Sequence, residues 1–379
     1  MSSSQVIWVA DPALLRDHLA NAAPRIALDT EFIRERTYWP QLALVQVALE
    51  GDDPQSPLIL LLDMLAPGMP EALAPVLAEP SVTKVMHSAG EDLIALRRAC
   101  GVVPEPLFDT QVAAALCGIG AGIGYQRLVQ EQLGLAVDKG ETRSDWMRRP
   151  LSPSQLAYAA DDVRHLFALH DTLSARLQAL GREAWCAEDC ARLVAGARDD
   201  AGDRWPHLAL RSAQFLDHDS QLRLLRLLRW REAQARRSDL PRNWLLDNEL
   251  ATTLAREAPR DREALQRLLE AHPKAPRKHA EALLAALSSP LADESEAPAP
   301  RSDDRDRKAL KRLQDAVSAR SAELGLPDGV LASRRWLEVL LDGEDWPGAL
   351  SGWRRRQLES TLAPLLVQVD AGSVTAPSV

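Results

Sequence analysis

Ile26-Ala27-Leu28-Asp29-Thr30-Glu31-Phe32 is the stretch on which the fold turns. An apolar run containing a β-branched residue leads straight into acids, which predicts a buried strand carrying carboxylates. Side chains alternate along a strand, so Asp29 and Glu31 face the same way. Two further places carry acids in a comparable setting. His87-Ser88-Ala89-Gly90-Glu91-Asp92 follows an expected strand and puts Asp92 in a helix's first turn, where an acid suits the dipole. Tyr158 and Asp162 lie four apart in a helical pattern and share a face. That helix has a start signal in Ser152, Pro153 and Gln155: a cap, a proline at the first position and a capping box. Asp161 is the competing carboxylate, turned about 100° away on the same helix.

Taken singly, each piece has a plain reading: a surface acid pair, a helix-start residue, a core tyrosine beside a solvated acid. Taken together they form a constellation of hard oxygen ligands of the kind that Mg²⁺ and Mn²⁺ prefer. Two such ions about 3.5–4 Å apart clamp the attacking and leaving oxygens of a phosphodiester, so the pattern points to phosphodiester hydrolysis.

Strands are expected at 6–10, 25–32, 42–49, 58–63, 82–87 and near 107–109, and helices at 69–78, 90–99, 110–117, 124–133 and 153–179. Short turns separate the early strands and helices the later ones, which predicts an α/β domain with a mixed sheet covered by helices. Gly118, Gly120, Gly122 and Gly124 follow a helix rather than a strand, so they read as a flexible connection and not a nucleotide loop. The chain has no Gly-Lys-Ser/Thr phosphate loop, and no nucleotide cofactor is expected.

At 379 residues, two or three domains are expected. No apolar run reaches the ~18 residues that span a bilayer, and Met1–Gln5 lacks the character of a secretory signal. Cys100, Cys117, Cys186 and Cys190 read as reduced packing residues, so a cytoplasmic protein with no membrane partner is expected. The net charge of −9 is unevenly spread: residues 1–200 carry 17 basic and 27 acidic side chains, residues 207–286 carry 15 and 11. An acidic first half suits a site that binds cations before phosphate, and a weakly basic second half suits a nucleic-acid backbone.

Beyond about residue 205 the chain turns helical and repeats. Pro241, Leu245, Leu250 and Leu254 find counterparts in Pro327, Leu331, Trp336 and Leu340 at a constant offset of 86, as do Leu224 and Leu227 in Leu310 and Leu313. Asp247 and Ser333 stand in matching capping positions. A constant offset across helix, loop and helix predicts two copies of one small bundle.

Asp-x-Glu on a first strand, a later Asp and a Tyr-x-x-x-Asp helix resemble the DEDDy 3′→5′ exonucleases, and most closely the ribonuclease D type. The flanking Arg34–Leu42, Phe108–Gln111 and Asp138–Trp146 add to the likeness. Ala157 stands where the sister subtype carries a histidine. The helical half resembles HRDC domains, the first copy more than the second. The resemblance implies a ribonuclease-H-like fold with the site at the sheet's edge, followed by two all-α bundles. It implies two divalent ions, Mg²⁺ or Mn²⁺, held by Asp29, Glu31, Asp92 and Asp162, with Asp29 touching both and Tyr158 orienting the attacking water. It implies hydrolysis from RNA 3′ ends to nucleoside 5′-monophosphates by a monomer, with tRNA precursors and other structured RNAs as substrates. Phe32, Tyr38, Trp39, Gln41, His87, Lys139, Arg143 and Trp146 are the candidate substrate contacts, Phe32, Tyr38 and Trp39 by base stacking and Lys139, Arg143 and Trp146 on phosphate and base, with simple packing as the plain alternative for Tyr38 and Trp146. The expected boundaries are 1–204 for the exonuclease domain, 207–287 for the first HRDC domain, 288–300 for a mobile linker, 301–369 for a divergent second copy and 370–379 for a tail. A DNA-directed exonuclease and a non-catalytic nucleic-acid-binding module are the competing readings.

Overall fold

The computed structural model describes residues 5–20, 23–51, 56–137, 140–141, 144–199, 202–298, 307–343 and 345–372. Six strands form one mixed sheet: β1 (Val6–Val9), β2 (Arg25–Ile33), β3 (Gln41–Leu49), β4 (Leu58–Asp63), β5 (Thr83–Met86) and β6 (Leu107–Asp109). Their spatial order is β1-β4-β3-β2-β5-β6. β1 and β4, β2 and β5, and β5 and β6 run parallel, and β3 and β4 run antiparallel. The accompanying helices are α1 (Pro12–Leu19), α2 (Met69–Ala78), α3 (Gly90–Cys100), α4 (Thr110–Leu116), α5 (Tyr125–Leu133), α6 (Pro153–Arg164), α7 (Leu166–Leu180) and α8 (Glu183–Arg198). Then follow α9 (His218–Ser238), α10 (Arg242–Leu245), α11 (Asn248–Glu257), α12 (Arg262–Glu270) and α13 (Ala280–Ser288), and finally α14 (Arg307–Leu324), α15 (Arg334–Leu341) and α16 (Trp353–Gly372).

The chain forms two compact units that cut across the boundaries drawn on the sequence. One comprises Met1–Ile33, Leu42–Arg198 and Asp306–Val379, the other Arg34–Gln41 and Asp199–Arg305.

In the first unit the sheet is buried on both faces. Ile26, Leu28, Leu60 and Leu62 face one core, and Ala27, Ala43, Ala48, Ile59 and Leu61 face the other. Ala159 and Ala160 of α6 lie in that second core. Small residues on both sides let the helix approach β2, which brings the flanking Tyr158 and Asp162 over the strand's acids. Strands β2 and β5 pair from Arg25 with Thr83 to Ala27 with Val85. Since β5 stops at Met86, the last residues of β2 project past it toward the first turn of α3. β2 has β3 and β5 as neighbours, so Asp29 and Glu31 lie toward the end of an inner strand and not on an edge strand.

The expected long helix over 153–179 is broken at His165, whose φ of −106° and ψ of 4° separate α6 from α7. The glycine-rich connection is docked: a side chain at Gly118 would meet the Gly325 carbonyl oxygen at 2.5 Å, and Gly118 has a φ of +78° that glycine tolerates. The start of α16 packs on α8 in this unit. Trp353 is fully buried and stacks on Trp185, with ring centroids 4.4 Å apart and planes 6° apart. Asp189 accepts two hydrogen bonds from Arg354, at 2.6 and 2.8 Å, and one from the Trp353 indole at 3.0 Å.

In the second unit, Asp217, Asp247 and Asp261 cap α9, α11 and α12, each accepting a backbone N–H at 2.8 Å. Leu224, Leu227, Leu250, Leu254, Leu265 and Leu283 form its core. The capping pair read from the repeat is present: Asp247 caps α11, and Ser333 caps α15 at the equivalent place. The segment expected as a mobile linker is tied down where it is described: Arg226 bonds Glu294 at 2.6 Å, and Arg229 bonds Asp293 at 2.7 Å. Acids that suggest a solvated linker serve here as partners for α9 arginines. Of the expected tail, α16 takes in residues up to Gly372, and 373–379 lie outside the described residues. Among the described residues no helix is long and apolar enough to cross a membrane.

Candidate active site

Carboxylate oxygens of Asp29, Glu31 and Asp162 lie within 4.8 Å of one another, and all three residues are half-buried. The alternation of β2 sends Asp29 and Glu31 to the α6 face, and the capped first turn of α6 fixes where Asp162 arrives. Ser152 accepts the Gln155 N–H at 3.1 Å, and the Gln155 side chain accepts the Ser152 N–H at 2.9 Å. Asp161 is turned away and bonds Arg164 at 2.8 Å. Asp92 stands outside the triad, in the first turn of α3, buried and hydrogen-bonded by the Thr30 hydroxyl. Thr30, which sits between the two strand acids, escaped the sequence reading, although a hydroxyl at that position was its visible signal.

The electrostatics follow from burial and like charge. Burial first, then the charges of Asp92, Asp162 and Glu31, hold the Asp29 carboxyl well above its ordinary range. Burial and the charges of Asp162 and Asp92 push Glu31 up to about 8. Burial pushes Asp162 up to about 7 against a hydrogen bond from Tyr158, and Asp92 up to about 6 against the one from Thr30. Burial and the neighbouring acids also raise the Tyr158 phenol, so it stays protonated.

The candidate substrate contacts fare differently. Trp146 is 3 % exposed and packs against Tyr158 at a centroid distance of 6.1 Å, so its face is spent on the core. Tyr38 and Trp39 belong to the second unit. Their N–H groups donate to Asp239 at 3.1 and 3.0 Å, the Tyr38 hydroxyl bonds Glu232, and Arg242 lies 4.8 Å from the Tyr38 ring centre. Those contacts occupy the tyrosine that the sequence offered to a base. Phe32 packs against the core, and Gln41 is exposed. His87 bonds Thr110 at 2.9 Å and the Ile123 carbonyl at 3.1 Å, in a supporting layer. Lys139 and Arg143 lie outside the described residues. Phe215 and Trp244, 74 % and 58 % exposed on the second unit, were not singled out from sequence, because isolated aromatics there look like core.

Residues 6–178 match the 3'-5' exonuclease family, and residues 221–287 match the HRDC domain. The chain is 58% identical over 366 residues to Ribonuclease D of Xanthomonas oryzae pv. oryzae, covering 96% of this chain and 99% of that protein. It is 36% identical over 378 residues to Ribonuclease D of Pseudomonas paraeruginosa, covering 96% and 98%. Among solved structures, RNase D of Escherichia coli, described as an exoribonuclease involved in structured RNA processing, superposes with a TM-score of 0.81 at 30% identity, covering 97% of this chain and 99% of that one. The mixed sheet with flanking helices and the helical HRDC domain are the fold they share.

Proposed function

The chain belongs to the ribonuclease D family, a family of 3′→5′ exoribonucleases, and from that premise we propose that it shortens structured RNAs from their 3′ ends by two-metal catalysis. The products are nucleoside 5′-monophosphates, and the proposed substrates are tRNA precursors and other structured RNAs. The carrying observation is the triad of Asp29, Glu31 and Asp162 within 4.8 Å, with charged neighbours of Asp29 and Glu31 that are themselves carboxylates. Such a set of hard oxygen donors fits Mg²⁺ or Mn²⁺, because a divalent cation offsets both the burial and the mutual repulsion that raise their pKa values. Two bound ions would supply Lewis acidity to the attacking water and to the leaving 3′ oxygen.

In this reading Asp29, Glu31, Asp92 and Asp162 would hold the ions, with Asp29 as the ligand that would be shared and Asp92 oriented by the Thr30 hydroxyl. Tyr158, kept protonated, orients the attacking water rather than taking its proton. The second unit holds RNA: residues 207–286 carry 15 basic against 11 acidic side chains, and the exposed Phe215 and Trp244 offer faces for bases. The protein works as a monomer in the cytoplasm, where four free thiols are at home.

The test is an end-labelled tRNA precursor incubated with Mn²⁺, Mg²⁺ or chelator, with the products identified. Stepwise 3′ shortening to 5′-monophosphates that stops with chelator is expected. Endonucleolytic fragments, or activity indifferent to chelator, would overturn the proposal. A matched DNA 3′ end in parallel decides between RNA and DNA as substrate.

A further inference from the structure

The break between α6 and α7 has an identifiable cause. In an unbroken helix the His165 N–H would donate to the Asp161 carbonyl four residues back. Here the Tyr125 hydroxyl stands between them. It donates to the Asp161 carbonyl at 2.8 Å and accepts the His165 N–H at 3.2 Å, an N–H that also turns toward the Val163 carbonyl. A side chain inserted into the backbone ladder is a known origin of helix kinks. The kink falls within the turn that follows Asp162. Tyr125, the first residue of α5, is itself held in place. Its ring meets His87 edge-on at 5.8 Å, and His87 Nε2 and the Gln111 amide both donate to the Ile123 carbonyl at 3.1 Å.

We infer that Tyr125 is a positioning residue. Its hydroxyl breaks the helix in the turn that follows Asp162 and so aims that carboxylate, with the Tyr158 hydroxyl bonded to it, at Asp29 and Glu31. The inference rests on the reading of this cluster as a metal site. Without the hydroxyl, the Asp161 carbonyl and the His165 N–H are free to bond each other, the helix straightens, and Asp162 turns with it.

The test is Tyr125→Phe, read first as Mn²⁺ affinity of the metal-free full-length protein by titration of free Mn²⁺. Affinity is expected to fall about tenfold. The kcat on a short oligoribonucleotide should fall at least as far, with KM unchanged, as expected for a residue that touches no substrate. In an Asp162→Asn background, Tyr125→Phe should change Mn²⁺ affinity little further, because both changes act through one carboxylate. Equal losses in both backgrounds, or unchanged affinity and kcat in folded Tyr125→Phe, would overturn the inference. Should that variant fail to fold, Tyr125→Met, which fills the space flexibly without a hydroxyl, takes its place under the same criteria. Wild-type Mn²⁺ uptake and its loss in Asp29→Asn test the metal reading separately. If both are seen while Tyr125→Phe binds normally, only the positioning role falls.

Discussion

Two groups of buried or half-buried carboxylates lie in the same compact unit, and they differ in what answers their charge. Asp189 on α8 is met by the Arg354 guanidinium in a two-point contact, by Arg192 at 2.6 Å and by the Trp353 indole. Burial first and carboxylate neighbours second raise the pKa values of the other group: Asp29 and Glu31 face the remaining acids of the cluster, Asp92 faces Asp109 and Glu91, and Asp162 faces Asp161. A buried charge neutralised within the chain joins two parts of a fold. Buried charge left unneutralised needs a cation from outside, or it takes up protons. The same residue types therefore do different work: one group fastens the start of α16 to α8, and the other, in the proposed function, would bind cations from outside.

The largest expected effect is at Asp29. Asp29→Asn keeps the side chain's size and removes the charge proposed to touch both ions, so the cleavage rate should fall by roughly three orders of magnitude or more. The metal-free protein should melt no lower than wild type, because the amide relieves repulsion among the remaining acids. Rates and melting curves on one preparation check both halves. Near-normal cleavage by a folded variant would erase the distinction between the two groups.

Next comes Arg354, where the signs reverse. Arg354→Ala leaves Asp189 buried without its main partner, which typically costs about 3–5 kcal/mol. A fall in melting temperature on the order of 10 °C follows. Cleavage of a short oligonucleotide well below the melting temperature should be near normal, since the carboxylate cluster is untouched. This packing also changes what truncation would do. A chain ending near residue 204 would uncover Trp185 and leave Asp189 with Arg192 alone, so it is expected to aggregate rather than to survive as an independent exonuclease domain. If it stays soluble and active, the docking of α16 on α8 is not a stabilising contact.

Both groups were unequally legible in the sequence, for physical reasons. The strands stand within two residues of expectation because apolar runs bounded by turns leave little choice. Helix α1 was overlooked although Asp11 followed by Pro12 is a start signal. The cluster was legible because period two on β2 and a spacing of four on α6 are local facts. Asp189 and Arg354 are 165 residues apart, and no local pattern announces a partner at that distance. The same holds for Tyr125 and the break at His165, 40 residues apart. The aromatic residues Tyr38 and Trp146 show the converse ambiguity, between base contact and packing. Composition cannot tell an aromatic face that awaits a base from one already covered by arginine or core.

A smaller effect separates Tyr158 from the metal ligands. Tyr158→Phe keeps the ring against Trp146 and deletes only the hydroxyl. Single-turnover cleavage at saturating metal should drop by roughly 10²-fold, with metal affinity changed little. A change in stability alone, with normal cleavage, would make Tyr158 a core residue.

The smallest expected effect is the pH dependence of stability, and it tests the electrostatic contrast directly. The cluster's carboxylates have folded-state pKa values above those of the unfolded chain, so the folded protein binds more protons than the unfolded chain once pH exceeds the ordinary carboxylate range. Their contribution to stability is therefore full below about pH 4 and is lost as pH rises through about 6 for Asp92, about 7 for Asp162 and about 8 for Glu31. Metal-free protein should melt a few degrees lower at about pH 8.5 than at about pH 5.5. Mn²⁺ should raise the melting temperature more at the higher pH, because ligands already ionised bind it without releasing protons. Asp29→Asn should flatten the metal-free slope, and Arg354→Ala should shift the curve down while leaving its slope alone. A wild-type slope no steeper than that of Asp29→Asn would show that the cluster's charge is neutralised from within the chain after all.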